Sequence, residues 1–211
     1  MKIGVIQATS QKDKNELIYN CVKNSVKNMG YDVINFGVFE DENEEYSYIH
    51  VSICICMLLE SKAIDFIVTG CSSGQGMMLA CNSMPGVLCG YIPSPQDAYL
   101  FGRINNGNVA SLPLGLNFGW AGEINLQCTL DKLFDEPFGK GYSKEEADRK
   151  IRDTEILKNI NSITKKSLLE VMPKMNENLV KKALERKVVY DYIMENGQDK
   201  NIKNLISRAV F

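Results

Sequence analysis

Residues 65–83 read DFIVTGCSSGQGMMLACNS and contain three local patterns in a fixed order. The apolar, β-branched run at 65–69 predicts a buried strand, because short apolar runs bounded by turn residues are typical of strands inside a sheet. Residues 70–76 are mostly small, which predicts a tight turn, and the apolar spacing of 74–83 predicts a helix. A strand, a glycine-rich turn and a helix in this order are typical of a parallel α/β sheet.

The same alternation extends in both directions from this unit. Strands are predicted at 2–7, 31–36, 65–69, 87–92 and 109–112, and helices at 13–29, 46–62, 74–83, 94–104 and 119–135. Such alternation places helices on both faces of a parallel sheet and requires right-handed crossovers. We therefore expect residues 1–136 to form a Rossmann-like α/β domain, with three layers built around a five-stranded parallel sheet.

The pattern changes at Pro137, after which no further strand is predicted. Gly139, Gly141 and Tyr142 indicate a hinge-like loop, and only helical patterns follow. We expect residues 137–211 to be a helical C-terminal extension that packs on the α/β body or on a partner subunit.

Composition argues against several classes of protein. Lys and Arg number 24 and Asp and Glu 26, so the net charge is −2 and we expect no nucleic-acid partner. No apolar run reaches the roughly 20 residues that a membrane span needs, so no membrane partner is expected. Seven cysteines, an odd number, and a single histidine favour reduced thiols in the cytoplasm over disulfides or a zinc site. A small-molecule ligand remains the expected partner.

Cys71 occupies the place where open parallel sheets bind their ligands, because it follows the carboxyl end of a strand and precedes a helix. Gly74 and Gly76 let a ligand approach the backbone, and the free N–H groups at a helix start favour negative charge. Ser72 and Ser73 can cap this helix or donate to the same ligand. A helix N-terminus also favours the thiolate form of a nearby cysteine.

A thiolate at Cys71 could remove a proton from carbon while the N–H groups hold an enediolate oxygen. This combination meets the needs of an aldose–ketose isomerase and requires neither a metal nor a cofactor. The alternative is that Cys71 is a small buried apolar residue, the usual role of a cysteine at a strand end. The other cysteines lack this context and are expected in the core: Cys21, Cys54, Cys56, Cys81, Cys89 and Cys128.

Two further features have both a functional and a plain structural interpretation. In RINNGNV at 103–109, Asn105 and Asn106 could hold a sugar through their amide groups or could simply form a turn. His50 is either a substrate contact or a half-buried helix residue. Trp120 is expected to pack in the chain or at an interface. A nucleotide-binding module is disfavoured, because Leu79 stands where the dinucleotide motif needs its third glycine.

The motif GCSSGQG at 70–76, followed by ACN at 80–82 and PGV at 85–87, resembles that of the ribose-5-phosphate isomerase B and galactose-6-phosphate isomerase family. Residues 105–109 resemble a further segment of the same family, and the likeness covers about residues 1–136 in order. The resemblance implies a homodimer, or a dimer of dimers, whose sites are completed across the interface.

The resemblance also implies roles for individual residues. Cys71 would move a proton between C1 and C2 of the substrate, with Ser73 assisting, while backbone groups of the loop hold the enediolate. The residues that would bind the substrate are Thr9, His50, Ser72, Gly74, Gly76, Asn105, Asn106 and Arg152.

Three departures from the family pattern bear on the substrate. Ala8-Thr9 stands where phosphate-using members carry an Asp-His pair, and Ile104 stands where they carry a ring-opening His. Only Arg152, with Arg149 near it, marks the place of their basic pair. A phosphate dianion would lose charge-assisted hydrogen bonds in such a site, so an open-chain substrate with a carboxylate suits it better.

The chain is longer than typical members of this family. In this respect it resembles a longer branch of the family that includes isomerases of 4-deoxy-L-threo-5-hexosulose uronate. We therefore favour an open-chain keto-uronate as the substrate. The alternatives are a phosphorylated pentose or hexose and, in a different class, a non-catalytic protein that binds sugar acids.

Overall fold

The computed structural model describes residues 1–116 and 118–209, and a five-stranded parallel sheet forms its centre. The strands are β1 (Lys2–Val5), β2 (Asp32–Asn35), β3 (Phe66–Cys71), β4 (Cys89–Tyr91) and β5 (Val109–Pro113). They lie in the order β2-β1-β3-β5-β4, and every neighbouring pair is parallel. The predicted sheet is confirmed, and its central strand is the one that ends in Cys71.

Five helices alternate with or follow the strands. They are α1 (Asn15–Val26), α2 (Tyr48–Glu60), α3 (Gln75–Asn82), α4 (Pro95–Leu100) and α5 (Gly122–Phe134). A 3₁₀ turn at Thr9–Lys14 precedes α1, and a π-helical turn at Phe101–Asn105 continues α4, so two of the predicted helices are irregular at one end. Among the described helices, none combines the length and apolarity that crossing a bilayer requires.

Side chains of the strands alternate between two cores, which makes the fold three-layered. Ile3 and Val5 of β1 lie in one apolar cluster with residues of α1, α4 and α5, and Phe66 and Val68 of β3 join them. Ile67 points to the other face and packs in a cluster with residues of α2 and α3. This alternation follows from the period of two along a strand and gives a Rossmann-like α/β fold.

The C-terminal extension is helical, as predicted. It contains α6 (Ala147–Thr164), α7 (Leu168–Val171), α8 (Glu177–Leu184), α9 (Lys187–Asn196) and α10 (Lys200–Arg208). Helices α7 to α10 bury apolar side chains in the cluster that also contains α2, among them Leu184, Ile193 and Ile206. Residues 51–58 of α2 are all buried, because the sheet covers one side of that helix and the extension the other. The division of the chain into two parts at residue 137 stays a prediction, since α2 of the first part and helices α7 to α10 of the second share one apolar core.

One expectation about a single residue differs from the structure, and another is narrowed to one of its two alternatives. Cys128 is exposed rather than buried, because it lies on the outer side of α5, whose inner side buries Leu126, Leu130 and Leu133. Trp120 is 103% exposed, which excludes packing within the chain as its role.

Gly70 passes so close to β5 that a side chain has no room there. A Cβ on Gly70 would lie 2.5 Å from the carbonyl oxygen of Leu112 and 2.7 Å from a methyl group of Leu114. We expect Gly70→Ala to lower the free energy of unfolding by about 2 kcal/mol, because the backbone of β5 would have to move. Gly119→Ala is the control, since nothing lies within 4 Å of a Cβ at that position. Urea unfolding of both variants measures the difference, and equal losses would contradict the steric account.

Candidate active site

Cys71 lies where the central strand meets the glycine-rich loop. Its carbonyl accepts a hydrogen bond from the N–H of Leu114 at 3.0 Å, which ties the end of β3 to the segment after β5. The residue is 7% exposed and belongs to the apolar cluster that contains Ala8 and Met77. The sulfur atom is therefore at the border of the core, with little access to water.

The course of the loop depends on Gly74, which has a φ of +74°. A Cβ there would lie 2.9 Å from backbone atoms of Leu112 and Pro113. The hydroxyl of Ser111 donates to the Gly74 carbonyl at 2.6 Å and fixes this position. Only glycine combines that backbone conformation with so close an approach.

Gly74 is also the N-cap residue of α3, and no side chain caps the helix. The expectation that Ser72 or Ser73 caps α3 is therefore wrong, because the glycine conformation takes the cap position. The first N–H groups of a helix have no partners inside the helix. They form a set of donors for negative charge directly after Cys71.

Ser72 is exposed and connects the loop to the segment after β1. Its hydroxyl accepts a hydrogen bond from Gln11 Nε2 at 3.0 Å and lies 3.4 Å from the Ser10 hydroxyl. Lys14 Nζ donates to Gln11 Oε1 at 3.0 Å, which brings a cation to this side of the loop. Gln11 and Lys14 were missed at the level of sequence, because a polar residue in a turn carries no pattern that separates it from a solvated one.

Thr9 begins the 3₁₀ turn that follows the neighbouring strand β1 and makes two hydrogen bonds to the backbone of Tyr46. Its N–H donates to the Tyr46 carbonyl at 3.0 Å, and its Oγ1 accepts from the Tyr46 N–H at 2.7 Å. The Thr9 hydroxyl hydrogen is not used in either bond and remains available for a ligand. Ala8, beside it, donates its N–H to the Gly70 carbonyl at 3.1 Å, so this segment is held against β3.

His50 lies in the first turn of α2 and forms a capping box with Ser47. Its Nδ1 accepts the Ser47 N–H at 3.1 Å, which leaves the hydrogen of the neutral imidazole on Nε2. Burial lowers the pKa of His50 below its usual value, and the positive charge of Lys182 lowers it further. His50 is thus a neutral side chain with one free donor.

The structure gathers part of the predicted site in one place. Cys71, Ser72, Ser73, Gly74 and Gly76 share the loop at the end of β3, with Ser73 half-buried. Helix α2, which carries His50 in its first turn, begins beside this loop, because a ring carbon of Tyr48 lies 3.6 Å from the position of a Cβ on Gly76.

Three other predicted residues make no hydrogen bond to the Cys71 loop within the part of the chain that the structure describes. Asn105 is exposed and lines a cavity of about 710 Å³ whose lining includes Tyr91 but not Cys71. Asn106 has a φ of +46° and ends the π-helical turn, so it shapes the backbone there. Arg152 is exposed on α6, two residues before Thr154, whose hydroxyl donates to the Ile104 carbonyl at 2.6 Å.

The chemistry available around Cys71 is proton transfer with stabilisation of a negative oxygen. The polar groups of this loop and its neighbours are the Cys71 thiol, the Ser72 and Ser10 hydroxyls, the Gln11 amide and the N–H groups at the start of α3. Within residues 1–116 and 118–209, no three His, Cys, Asp or Glu side chains come together as metal ligands.

Known proteins resemble this chain in sequence and in fold. The Ribose/Galactose Isomerase family matches residues 5–149. A crystal structure of 4-deoxy-L-threo-5-hexosulose-uronate ketol-isomerase with tartrate is 38% identical, with a TM-score of 0.95, and the match covers 100% of this chain and 99% of that one. A ribose-5-phosphate isomerase from Vibrio parahaemolyticus is 36% identical, with a TM-score of 0.94 and 99% coverage of both chains.

A more distant protein shares the fold alone. The type B ribose 5-phosphate isomerase from Trypanosoma cruzi is 17% identical, with a TM-score of 0.63, and the match covers 77% of this chain and 99% of that one. No protein among those with curated functions matches significantly.

These findings show that the chain is a Rossmann-like α/β enzyme of the class that interconverts aldoses and ketoses. The chain belongs to the ribose/galactose isomerase family.

Burial of His50, together with the positive charge of Lys182, makes the stability of the fold depend on the protonation of this residue. Its pKa in the folded protein lies below the ordinary value of 6.5, so the unfolded chain takes up the proton first as the pH falls. Stability is fully present above about pH 6.5 and is lost below it, by at most about 1.4 kcal/mol for each pH unit. We expect His50→Gln to remove this component, because glutamine at the same position also accepts the Ser47 N–H but does not titrate. Urea unfolding at pH 7.5, 6.5 and 5.5 measures the two slopes, and equal slopes would contradict the prediction.

Proposed function

We propose that this isomerase uses Cys71 for proton transfer and acts on an open-chain keto-uronate. The observation that carries the proposal is the position of Cys71 at the end of β3, directly before the uncapped N–H groups of α3. A base and a set of donors for a transient oxygen anion are the two parts that an enediolate mechanism needs.

The reaction proceeds in two proton transfers at carbon. The Cys71 thiolate removes the proton from C2 of the aldose, the C2–H electrons form a C1–C2 double bond, and the carbonyl oxygen on C1 becomes negative. N–H groups at the start of α3 hold this oxygen. A proton then moves from the C2 hydroxyl to the C1 oxygen, with Ser73 assisting, and the Cys71 thiol returns its proton to C1 to give the ketose.

Thr9, His50 and Ser72 are proposed to bind the hydroxyl and carbonyl groups of the substrate. The free Thr9 hydroxyl hydrogen and the His50 Nε2–H are both neutral donors. Gly74 and Gly76 leave space for the substrate to lie against the backbone.

Asn105, Asn106 and Arg152 are proposed to reach the site from a second copy of the chain, in a homodimer or a dimer of dimers. Among the described residues, no hydrogen bond joins any of the three to the Cys71 loop of the same chain, which supports this arrangement. The apolar side chains that α6 exposes also support a partner: Ile156, Leu157, Ile160 and Ile163. The seven free cysteines suit a reducing compartment, which supports a cytoplasmic location.

The substrate class rests on what the site lacks. Ala8-Thr9 stands where the phosphate-using pattern has an Asp-His pair, and Ile104 where it has a ring-opening His, so a sugar that is already open is the better fit. The 38% identical neighbour, a 4-deoxy-L-threo-5-hexosulose-uronate ketol-isomerase, supports this choice. The alternative, a phosphorylated pentose or hexose, is supported by the 36% identical ribose-5-phosphate isomerase.

A thiol variant tests the mechanism. We expect Cys71→Ser to lower kcat by about 10² to 10⁴, because a hydroxyl is a much weaker base than a thiolate at neutral pH. Cys128→Ser is the matched control, since it removes an exposed thiol from α5 and should leave kcat unchanged. Aldose–ketose conversion is followed on keto-uronates and on pentose and hexose phosphates.

Deuterium exchange at C2 in D₂O distinguishes the remaining possibilities. Exchange by the wild type that is lost in Cys71→Ser supports the mechanism, while full turnover by Cys71→Ser removes Cys71 from it. Faster turnover of sugar phosphates than of keto-uronates would favour the alternative substrate. Binding of sugar acids without exchange would identify a non-catalytic binding protein.

A further inference from the structure

The C-terminal extension contacts the candidate site through Arg186, which lies between α8 and α9. Arg186 is 3% exposed, and its Nε donates to the carbonyl of Phe36 at 2.7 Å. Its Nη1 and Nη2 donate to the two carboxylate oxygens of Glu42 at 2.7 and 3.0 Å. A two-pronged pair of this kind fixes orientation as well as distance.

The segment 37–46 is shaped to accept this guanidinium. Gly37 has a φ of +81°, and a Cβ on it would overlap Nη2 of Arg186. Burial works against ionisation of Glu42, yet the hydrogen bonds and charge of Arg186 hold the pKa of Glu42 below its usual value. Arg186 and Glu42 are therefore an ionised pair whose geometry the loop is built around.

The same segment carries Tyr46, on which two cations of the extension lie. The guanidinium carbon of Arg186 is 4.9 Å from the centroid of the Tyr46 ring, and Nζ of Lys182 is 5.0 Å from it. Lys182 is itself paired with Glu44 and Glu185. Contacts of this kind hold an aromatic ring in place.

Tyr46 in turn sets the position of two proposed substrate contacts. It makes both hydrogen bonds to Thr9, and its ring packs edge-on against His50 with centroids 6.4 Å apart. Direct contacts therefore connect Arg186 in the extension, through Tyr46, with both Thr9 and His50. Thr9 and Arg186 are 177 positions apart in the sequence.

We propose that Arg186 is a positioning residue: the C-terminal extension, through the Arg186–Glu42 pair and Tyr46, holds Thr9 and His50 in place for substrate binding. The proposal rests on the proposed function, because it takes Thr9 and His50 as substrate contacts. Arg186 touches no substrate itself. It acts on the binding half of the site, while the Cys71 loop is held separately by β5.

The test compares Arg186→Met, Arg186→Lys and the double variant Glu42→Gln/Arg186→Met with the wild type. The double variant removes the carboxylate that Arg186→Met leaves unpaired, so it separates loss of position from the cost of a lone charge. The control is Ile206→Ala on α10, which damages the core of the extension at a fully buried residue away from segment 37–46.

Two measurements report on position rather than on stability. The first is steady-state kinetics, in which loss of a binding contact raises KM by about tenfold with kcat nearly unchanged. The second is the NMR titration of His50, whose ring signal is unique because the chain has one histidine. Release of Tyr46 would expose His50 and raise its pKa towards 6.5, the ordinary value.

We expect Arg186→Met and the double variant to show both changes, Arg186→Lys to show them in part, and Ile206→Ala to show neither despite a lower Tm. Wild-type KM and His50 titration in folded Arg186→Met would overturn the proposal, as would the same changes in Ile206→Ala. If Arg186→Met does not fold, Arg186→Lys and the double variant decide by the same criteria. If the wild type isomerises no sugar, the proposed function fails, whereas the His50 titration still decides whether Arg186 positions this residue.

Discussion

The backbone of the Cys71 loop is held against β5, and the rest of the site depends on this contact. Ser111 donates to the carbonyl of Gly74, and the Leu114 N–H donates to the carbonyl of Cys71. These bonds form because Gly70 and Gly74 have no side chains that would keep the two backbones apart. A loop bonded on both sides of the thiol has its N–H donors in place before a substrate arrives, which is the condition under which such donors stabilise a developing charge well.

The opposite side of the site has a second, independent anchor in the C-terminal extension. Helix α2 is buried at every position from 51 to 58, and the sheet alone cannot cover a helix that is apolar all round. The extension supplies the missing cover and, through Arg186 and Tyr46, also fixes the loop that leads into α2. In our proposal the same helices thus provide both the stability of the core and the geometry of the substrate contacts.

Local patterns were sufficient to predict the sheet, the helices around it and the place of Cys71. Periodicity reports which face of an element is buried, and a glycine-rich turn after a buried strand marks the carboxyl edge of a sheet. The π-helical turn at Phe101–Asn105, the glycine cap of α3 and the exposure of Cys128 were not predicted, because each depends on packing that one segment does not encode. Arg186 is the clearest case: its partner Phe36 is 150 residues away, and in sequence it is one more charge in a polar helix.

The charges near the Cys71 loop and near Tyr46 bear on which substrate the proposed site would accept. Lys182 and Arg186 lie near His50 and Tyr46, but their charges are matched by Glu44 and Glu42. The proposed substrate contacts Thr9 and His50 therefore supply mainly neutral donors, and such donors suit the hydroxyl and carbonyl groups of an open-chain sugar. A phosphate dianion would need unpaired cations close by, since charge-assisted hydrogen bonds are what offset its loss of water. Lys14, which is joined to the Cys71 loop through Gln11, is likewise paired, with Asp13 at 3.0 Å, so its charge is already matched and it offers a phosphate dianion little compensation.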